Sequence, residues 1–251
     1  MKTAFITGAT SGFGRAIAFR FAALGYNLIV TGRRENRLKE LIDQLNSEYK
    51  IEILPLCFDV RNYDACKKAF QSLPDYFRHV DILVNNAGLA AGTSPFQDSD
   101  LADYELMIDT NVKGLLYMTK LIVPGMIEQQ SGHIVNISSI AGIEVYPTGS
   151  VYCASKHAVN AITKGLRIDL IKHGIKVSSV SPGMAETEFS IVRNHGDEVK
   201  AKAVYAGLTP LNADDIADAV EYIVTRPAHV SINDIQINPV QQANTYIANR
   251  K

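Results

Sequence analysis

Tyr152 and Lys156 stand four residues apart in the run Tyr152-Cys153-Ala154-Ser155-Lys156, and Ser139 lies 13 residues before the tyrosine. On a helix, a spacing of four puts two side chains on one face about one turn apart. A phenol with an ordinary pKa near ~10 is a poor acid–base catalyst at neutral pH, but an adjacent ammonium favours the phenolate and draws that pKa down. The pair therefore suits giving a proton to, or taking one from, a substrate oxygen. An isolated Y-x-x-x-K is more often two residues on a helix surface, so its meaning depends on what else the chain carries.

A second constellation sits near the N-terminus, where Thr7-Gly8-Ala9-Thr10-Ser11-Gly12-Phe13-Gly14 follows a short apolar run and opens into a helical pattern. Gly8 suits a tight turn, Gly12 lets the backbone come close to a pyrophosphate, and Gly14 allows close packing of helix on strand. The helix N–H groups then point at the anion. A bland turn also accommodates three glycines, but the strand-before, helix-after context favours a phosphate cradle. A third feature is Val30-Thr31-Gly32-Arg33-Arg34. Dinucleotide folds that prefer NAD place an acid here for the adenosine ribose hydroxyls; Gly32 takes that place, and two guanidiniums follow that can grip a 2′-phosphate. NADP is the expected cofactor, against the alternative that Arg33 and Arg34 simply begin an exposed helix.

These groups must be positioned by alternating elements. Strands are expected at Lys2–Thr7, Asn27–Thr31, Ile51–Phe58, Asp81–Asn85, His133–Ser138, Lys176–Ser181 and Asp234–Asn238. Helices are expected from about Gly12 to Leu24, Glu35 to Tyr49 and Tyr63 to Leu73, and two long ones from about Asp100 to Met126 and Gly149 to Lys172. Right-handed crossovers turn such an alternation into a parallel sheet with helices on both faces. The expected architecture is a single doubly wound α/β domain over residues 1–251 with a seven-stranded parallel sheet. Met184 to Pro210 carries no strand signal and reads as a substrate lid.

Composition narrows the function classes. The 251 residues carry 25 Lys plus Arg against 26 Asp plus Glu, a net charge of −1 without like-charge runs, which argues against nucleic acid as a partner. No apolar run approaches the ~18 residues of a membrane span. Cys57, Cys66 and Cys153 show no disulfide or zinc spacing, and the six histidines form no metal motif. A reducing, cytoplasmic setting and no metal are expected.

The glycine spacing G-x-x-x-G-x-G resembles that of the short-chain dehydrogenase/reductase family, and further motifs fall in the family's order. These are Asn85-Asn86-Ala87-Gly88 after the fourth strand, Asn111 in the following helix, Ser139 after the fifth strand, the Tyr152–Lys156 run, and Pro182-Gly183 after the sixth. The resemblance spans essentially the whole chain and implies a Rossmann-type oxidoreductase. By it, Ser139 would hydrogen-bond the substrate oxygen, Tyr152 would exchange the proton, Lys156 would tune Tyr152 and bind the nicotinamide ribose, and Asn111 would join a proton relay. It further implies cofactor contacts at Thr7, Gly8, Ser11, Gly12, Phe13, Gly14, Arg33, Arg34, Asp59, Val60, Asn86, Tyr152, Lys156, Pro182, Gly183 and Thr187. A homotetramer built through the two long helices and the apolar tail Ile235 to Ile247 is also implied.

Thr187-Glu188-Phe189-Ser190-Ile191-Val192-Arg193, Asn86-Ala87-Gly88-Leu89-Ala90 and Pro227-Ala228-His229-Val230 resemble one branch, the NADP-dependent 3-hydroxy acid dehydrogenases, which include serine dehydrogenases and malonic semialdehyde reductases. Such a substrate calls for a cation opposite Ser139 and Tyr152, and Arg193 is the candidate, unless it is a solvated loop arginine. Tyr146 is either a pocket wall or a packing residue. The chain departs from the branch at Ile143-Glu144-Val145, where a larger aromatic often stands, which leaves pocket size and the preferred acid open. Reduction of another small carbonyl (a sugar, polyol or 3-oxoacyl group) and a non-catalytic NADP sensor are the competing readings.

Overall fold

The computed structural model describes residues 1–251. Seven strands, β1 (Thr3–Ile6), β2 (Asn27–Gly32), β3 (Ile53–Cys57), β4 (Ile82–Asn85), β5 (Gly132–Ile137), β6 (Ile175–Pro182) and β7 (Asp234–Ile237), form one sheet in the order β3-β2-β1-β4-β5-β6-β7. Every neighbouring pair is parallel. All seven expected strands are present, with ends displaced by no more than two residues. The chain winds outward from β1 to β3 and then returns to β4 on the other side of β1. That reversal opens a crevice at the carboxyl ends of β1 and β4, where sheets of this kind bind ligands.

Strand alternation sorts the core into two layers. Ala4, Ile6, Leu28, Val30 and Val84 face one side, where α1 (Gly12–Ala23) and α2 (Glu35–Glu48) contribute Ile17, Phe21, Leu38, Leu41 and Leu45. Phe5, Ile29, Leu83, Ile134 and Val177 face the other. There they meet Leu73 and Phe77 from beyond α3 (Tyr63–Gln71) and Met118, Ile122 and Met126 from a long helix described below. Each fully buried side chain of this size contributes about 1.5–3 kcal/mol relative to exposure. Gly25, at φ +75°, follows the C-cap residue Leu24 and ends α1.

The first long helix is not continuous. It comprises α4 (Leu101–Ile108), a π-helical stretch over Asp109–Gly114, and α5 (Leu115–Gln129). The widened turns leave Asn111 2% exposed, with its side-chain amide bonded to the Leu89 backbone. They also set Gly114 so close to Val60 that an added Cβ would lie 2.8 Å from Val60 Cγ2. A one-residue widening of this kind leaves the hydrophobic stripe on both sides intact and so escapes periodicity. The second long helix, α6 (Ser150–Leu170), ends in a 3₁₀ turn at Ile171–His173.

The 184–210 segment contains no strand of the sheet, as expected, but it is not irregular. It holds α7 (Phe189–Arg193) and α8 (Glu198–Ala203), and a bridge between Ala185 and Leu211 ties its ends together. The following helix, α9 (Ala213–Val224), starts in a capping box formed by Asn212 and Asp215 and packs Ile216, Val220 and Ile223 onto the α1 side of the sheet. No helix is long and apolar enough to cross a membrane.

Candidate active site

The carboxyl ends of the strands open into one cavity of about 600 Å³ that runs from the glycine loop to α7. At the first end, Gly8 adopts φ +68°, and a Cβ there would lie 2.9 Å from the Ala87 Cα. A Cβ on Gly14 would run into the Gly8 carbonyl and the Asn86 amide, so this glycine is required for the helix to seat on the loop. Ser11 holds extended backbone at the N-cap of α1, and its side chain caps nothing in the helix, which leaves the helix N–H groups directed at the cavity.

Thr7 and Asn86 hold this loop to β4. The Thr7 hydroxyl accepts from Asn86 N and Ala87 N, each at 3.0 Å, and the Asn86 amide donates to Thr7 O (2.8 Å) and Gly8 O (3.1 Å). Of the expected cofactor contacts, Gly8, Ser11, Gly12, Phe13, Arg33, Arg34, Asp59, Val60, Asn86, Tyr152, Lys156, Pro182, Gly183 and Thr187 all line the cavity. Thr7 and Gly14 do not; they lie beneath its wall and shape it.

The end of β2 brings Arg33 and Arg34 to the cavity mouth. Arg34 donates through Nη2 to the hydroxyls of Thr10 and Ser11, both at 2.9 Å, and through Nη1 to Glu188 Oε2 at 3.0 Å. Arg37 pairs with the other oxygen of Glu188. Arg33 is 3.9 Å from Asp59, whose carboxylate is chiefly engaged by Arg61 at 2.6 Å. Partial burial pushes the Asp59 carboxyl up, and the Arg61 hydrogen bonds and charge outweigh it, leaving it below the usual carboxylate range. Thr10 belongs to the glycine run expected to cradle phosphate, whereas Arg37 is an addition; it follows Arg34 by three residues, one turn along the same helix start, and that spacing is its only sequence signal.

At the other end, β5 delivers Ser139 and α6 delivers Tyr152 and Lys156. The Ser139 hydroxyl accepts from Ala141 N (3.1 Å) and donates to Pro182 O at 3.4 Å. Lys156 is 6% exposed; its Nζ donates to Ile137 O at 3.0 Å and lies 6.0 Å from the Tyr152 ring centroid. Burial brings the lysine down to about 8. Burial also pushes the Tyr152 phenol up, not down as the Tyr–Lys spacing suggests, because desolvation dominates and the ammonium is aimed at the Ile137 carbonyl. Asn111 does not reach the cavity wall. Its amide donates to Leu89 O (2.8 Å) and Ser155 Oγ (3.0 Å) and accepts from Leu89 N (2.8 Å), so both amide protons are committed.

Beyond Tyr152 the wall is built by Tyr146, Phe189 and Arg193. Phe189 packs edge-on against Tyr152 with ring centroids 5.7 Å apart. The Arg193 guanidinium lies over Tyr146, so Tyr146 is both wall and support. The departure at Ile143-Glu144-Val145 faces the tail: Glu144 accepts from Thr245 N and Thr245 Oγ1, both at 2.9 Å, while Ile143 and Val145 are exposed. Asp59 and Glu188 are the carboxylates that line the cavity, and both are held by arginines.

Comparison with known proteins agrees with this geometry. The family model for short chain dehydrogenase matches residues 2–198. A sulfoacetaldehyde reductase 2 from Chromohalobacter salexigens is 49% identical over 239 residues, covering 95% of this chain and 94% of that protein. An NADP-dependent 3-hydroxy acid dehydrogenase from Salmonella typhi is 46% identical over 239 residues, with 95% of each chain covered. The solved closed form of a serine dehydrogenase complexed with NADP+ superposes with a TM-score of 0.93 at 42% identity, covering 99% of both chains.

Proposed function

The chain belongs to the short-chain dehydrogenase family, and from that footing we propose that it is an NADP-dependent oxidoreductase acting between a short 3-hydroxy acid, or its sulfonate analogue, and the corresponding aldehyde. The observation that carries the substrate class is the charge pattern of the cavity. Arg193 supplies a cation beside Tyr152, and no free carboxylate lines that end. Malonic semialdehyde and sulfoacetaldehyde each place an anion one methylene from the aldehyde carbon, which matches an arginine set beside the proton donor. Serine would add an ammonium for which this wall offers no carboxylate, so the unaminated acids are the favoured class.

The cofactor fits the residues present: a glycine loop that admits no Cβ at Gly8 or Gly14, and arginines directly after Gly32, which stands where a ribose-binding acid would be. Arg33 and Arg34 would hold its 2′-phosphate, the α1 N-terminus and Ser11 its pyrophosphate, and Lys156 its nicotinamide ribose. The bound cofactor supplies or accepts the hydride. Ser139 donates a hydrogen bond to the substrate oxygen, and Tyr152, kept protonated by burial, gives that oxygen its proton in the reductive direction. Asn111 fixes the Leu89 backbone and the Ser155 hydroxyl near Lys156 through its side-chain amide, a positioning role that stands beside the proton relay implied by the resemblance.

We read residues 184–210 as the lid over the substrate, supported by the Phe189–Tyr152 contact. Leu116 on α5, Ile168 on α6 and Ile171 just beyond it are exposed, as are Val240, Tyr246 and Ile247 in the tail, which supports a homotetramer built through these two surfaces. The function is tested by supplying 3-hydroxypropionate, 3-hydroxyisobutyrate, 2-hydroxyethanesulfonate and serine with NADP+ or NAD+ and following nicotinamide absorbance. Turnover of at least one of the first three with NADP+ is expected; oxidation of none of those three would overturn the reading.

A further inference from the structure

We propose that Glu188 is a positioning residue for cofactor selection: together with Arg37 it fixes Arg34 so that one edge of the guanidinium is presented to the 2′-phosphate of NADP(H). The inference rests on NADP as the cofactor, and the observations behind it are local to one cluster. Glu188 reaches across the mouth of the cavity from the segment after β6 and accepts from Arg34 Nη1 at 3.0 Å with one oxygen and from Arg37 with the other. Arg34 Nη2 donates to the hydroxyls of Thr10 and Ser11, both at 2.9 Å, which sets the far edge of the guanidinium against the glycine loop.

A planar guanidinium held along one edge loses little further freedom when its other edge binds an anion, so the cost of ordering it is met before the cofactor arrives. The Thr10 hydroxyl, which accepts from Arg34, keeps its own proton to donate to the same phosphate. Charge fits as well. Arg61 and Arg33 flank Asp59, and Arg34 and Arg37 flank Glu188, so four guanidiniums stand against two carboxylates. The surplus positive charge matches a phosphate monoester, which carries about −1.5 to −2 at neutral pH. Partial burial pushes the Glu188 carboxyl up, and hydrogen bonds from Arg37 and Arg34 more than offset it, so it stays ionised across the working range.

The neighbours of Glu188 extend the consequence. Thr187 packs over Gly12, where an added Cβ would lie 3.5 Å from Thr187 Cβ, and Phe189 packs on Tyr152. One three-residue stretch thus touches the pyrophosphate loop, the arginine cluster and the proton donor.

The test measures binding, not turnover: NADPH and NADH titrated into the full-length protein by nicotinamide fluorescence. Because the three side chains are each about 40% exposed, Glu188→Gln is expected to weaken NADPH roughly three- to tenfold while leaving NADH within about twofold. Arg37→Ala should reproduce the effect, the double variant should be no worse than Glu188→Gln alone, and Glu188→Asp should recover most of the affinity. Equal losses for both cofactors would make Glu188 a strut of the lid only, and tighter NADPH binding would make it a competitor of the phosphate; either result overturns the proposal. A melting curve for each variant separates these outcomes from misfolding, with Arg37→Ala as the fallback. Normal NADPH binding without reduction of any aldehyde would refute the proposed function yet leave this inference standing.

Discussion

Arg193 lies across the face of Tyr146, its guanidinium carbon 5.4 Å from the ring centroid, and its Nε is 3.4 Å from Gly92 O. The arginine is therefore supported from one side by an aromatic face and tied to the loop after β4, which fixes a cation on the wall shared with Tyr152.

This support gives the first prediction. A charge-assisted hydrogen bond to a carboxylate contributes about 1.5–3 kcal/mol, so Arg193→Ala should lower kcat/KM for malonic semialdehyde by roughly ten- to a hundredfold. Propanal, of similar size and uncharged, should change by less than about threefold. Parallel losses would mean that the arginine only props the wall.

The arginines beyond β2 give the second. Arg33→Ala combined with Arg34→Ala should raise the KM for NADPH far more than that for NADH, measured with one saturating aldehyde. Equal effects on both cofactors would remove the phosphate from this site.

These two sites differ in how far the sequence disclosed them. Arg33 and Arg34 follow Gly32, which replaces an acid at a fixed place in the β-α-β unit, so local order was enough to read them. The partner that organises them, Glu188, is 154 residues further on, and nothing local to either residue signals the pairing. The strands were equally legible, because parallel strands in the sheet interior are continuous apolar runs, whereas their order in the sheet was not, since it depends on which edge each crossover returns to. The π-helical stretch was not, since it leaves the apolar pattern of the two flanking helices intact. Spacing placed Tyr152 and Lys156 on one face of α6 but could not report their burial, and burial sets the direction in which the phenol titrates.

Burial of Lys156 gives the third prediction, for the protein without cofactor. Its pKa falls from 10.5 to about 8 on folding, so between those values the unfolded chain holds a proton that the folded chain has lost. Stability contributed by this group therefore rises with pH across that window, and below about 8 the cost of burying the ammonium is felt in full. Lys156→Met should melt higher than the wild type at pH 7, by on the order of 1–3 kcal/mol of stability, with the advantage shrinking toward pH 10. A difference that stays constant over this range would contradict the assignment. The same variant should lose turnover, since it removes the group assigned to the nicotinamide ribose.

The arginine wall is proposed to select a short aldehyde carrying an anion one methylene from the carbonyl. Its most direct test is kcat/KM of the unmodified protein with NADPH for malonic semialdehyde and sulfoacetaldehyde against propanal. The arginine wall predicts a preference of at least about tenfold for one or both of the charged aldehydes. Equal rates, or a preference for propanal, would contradict it.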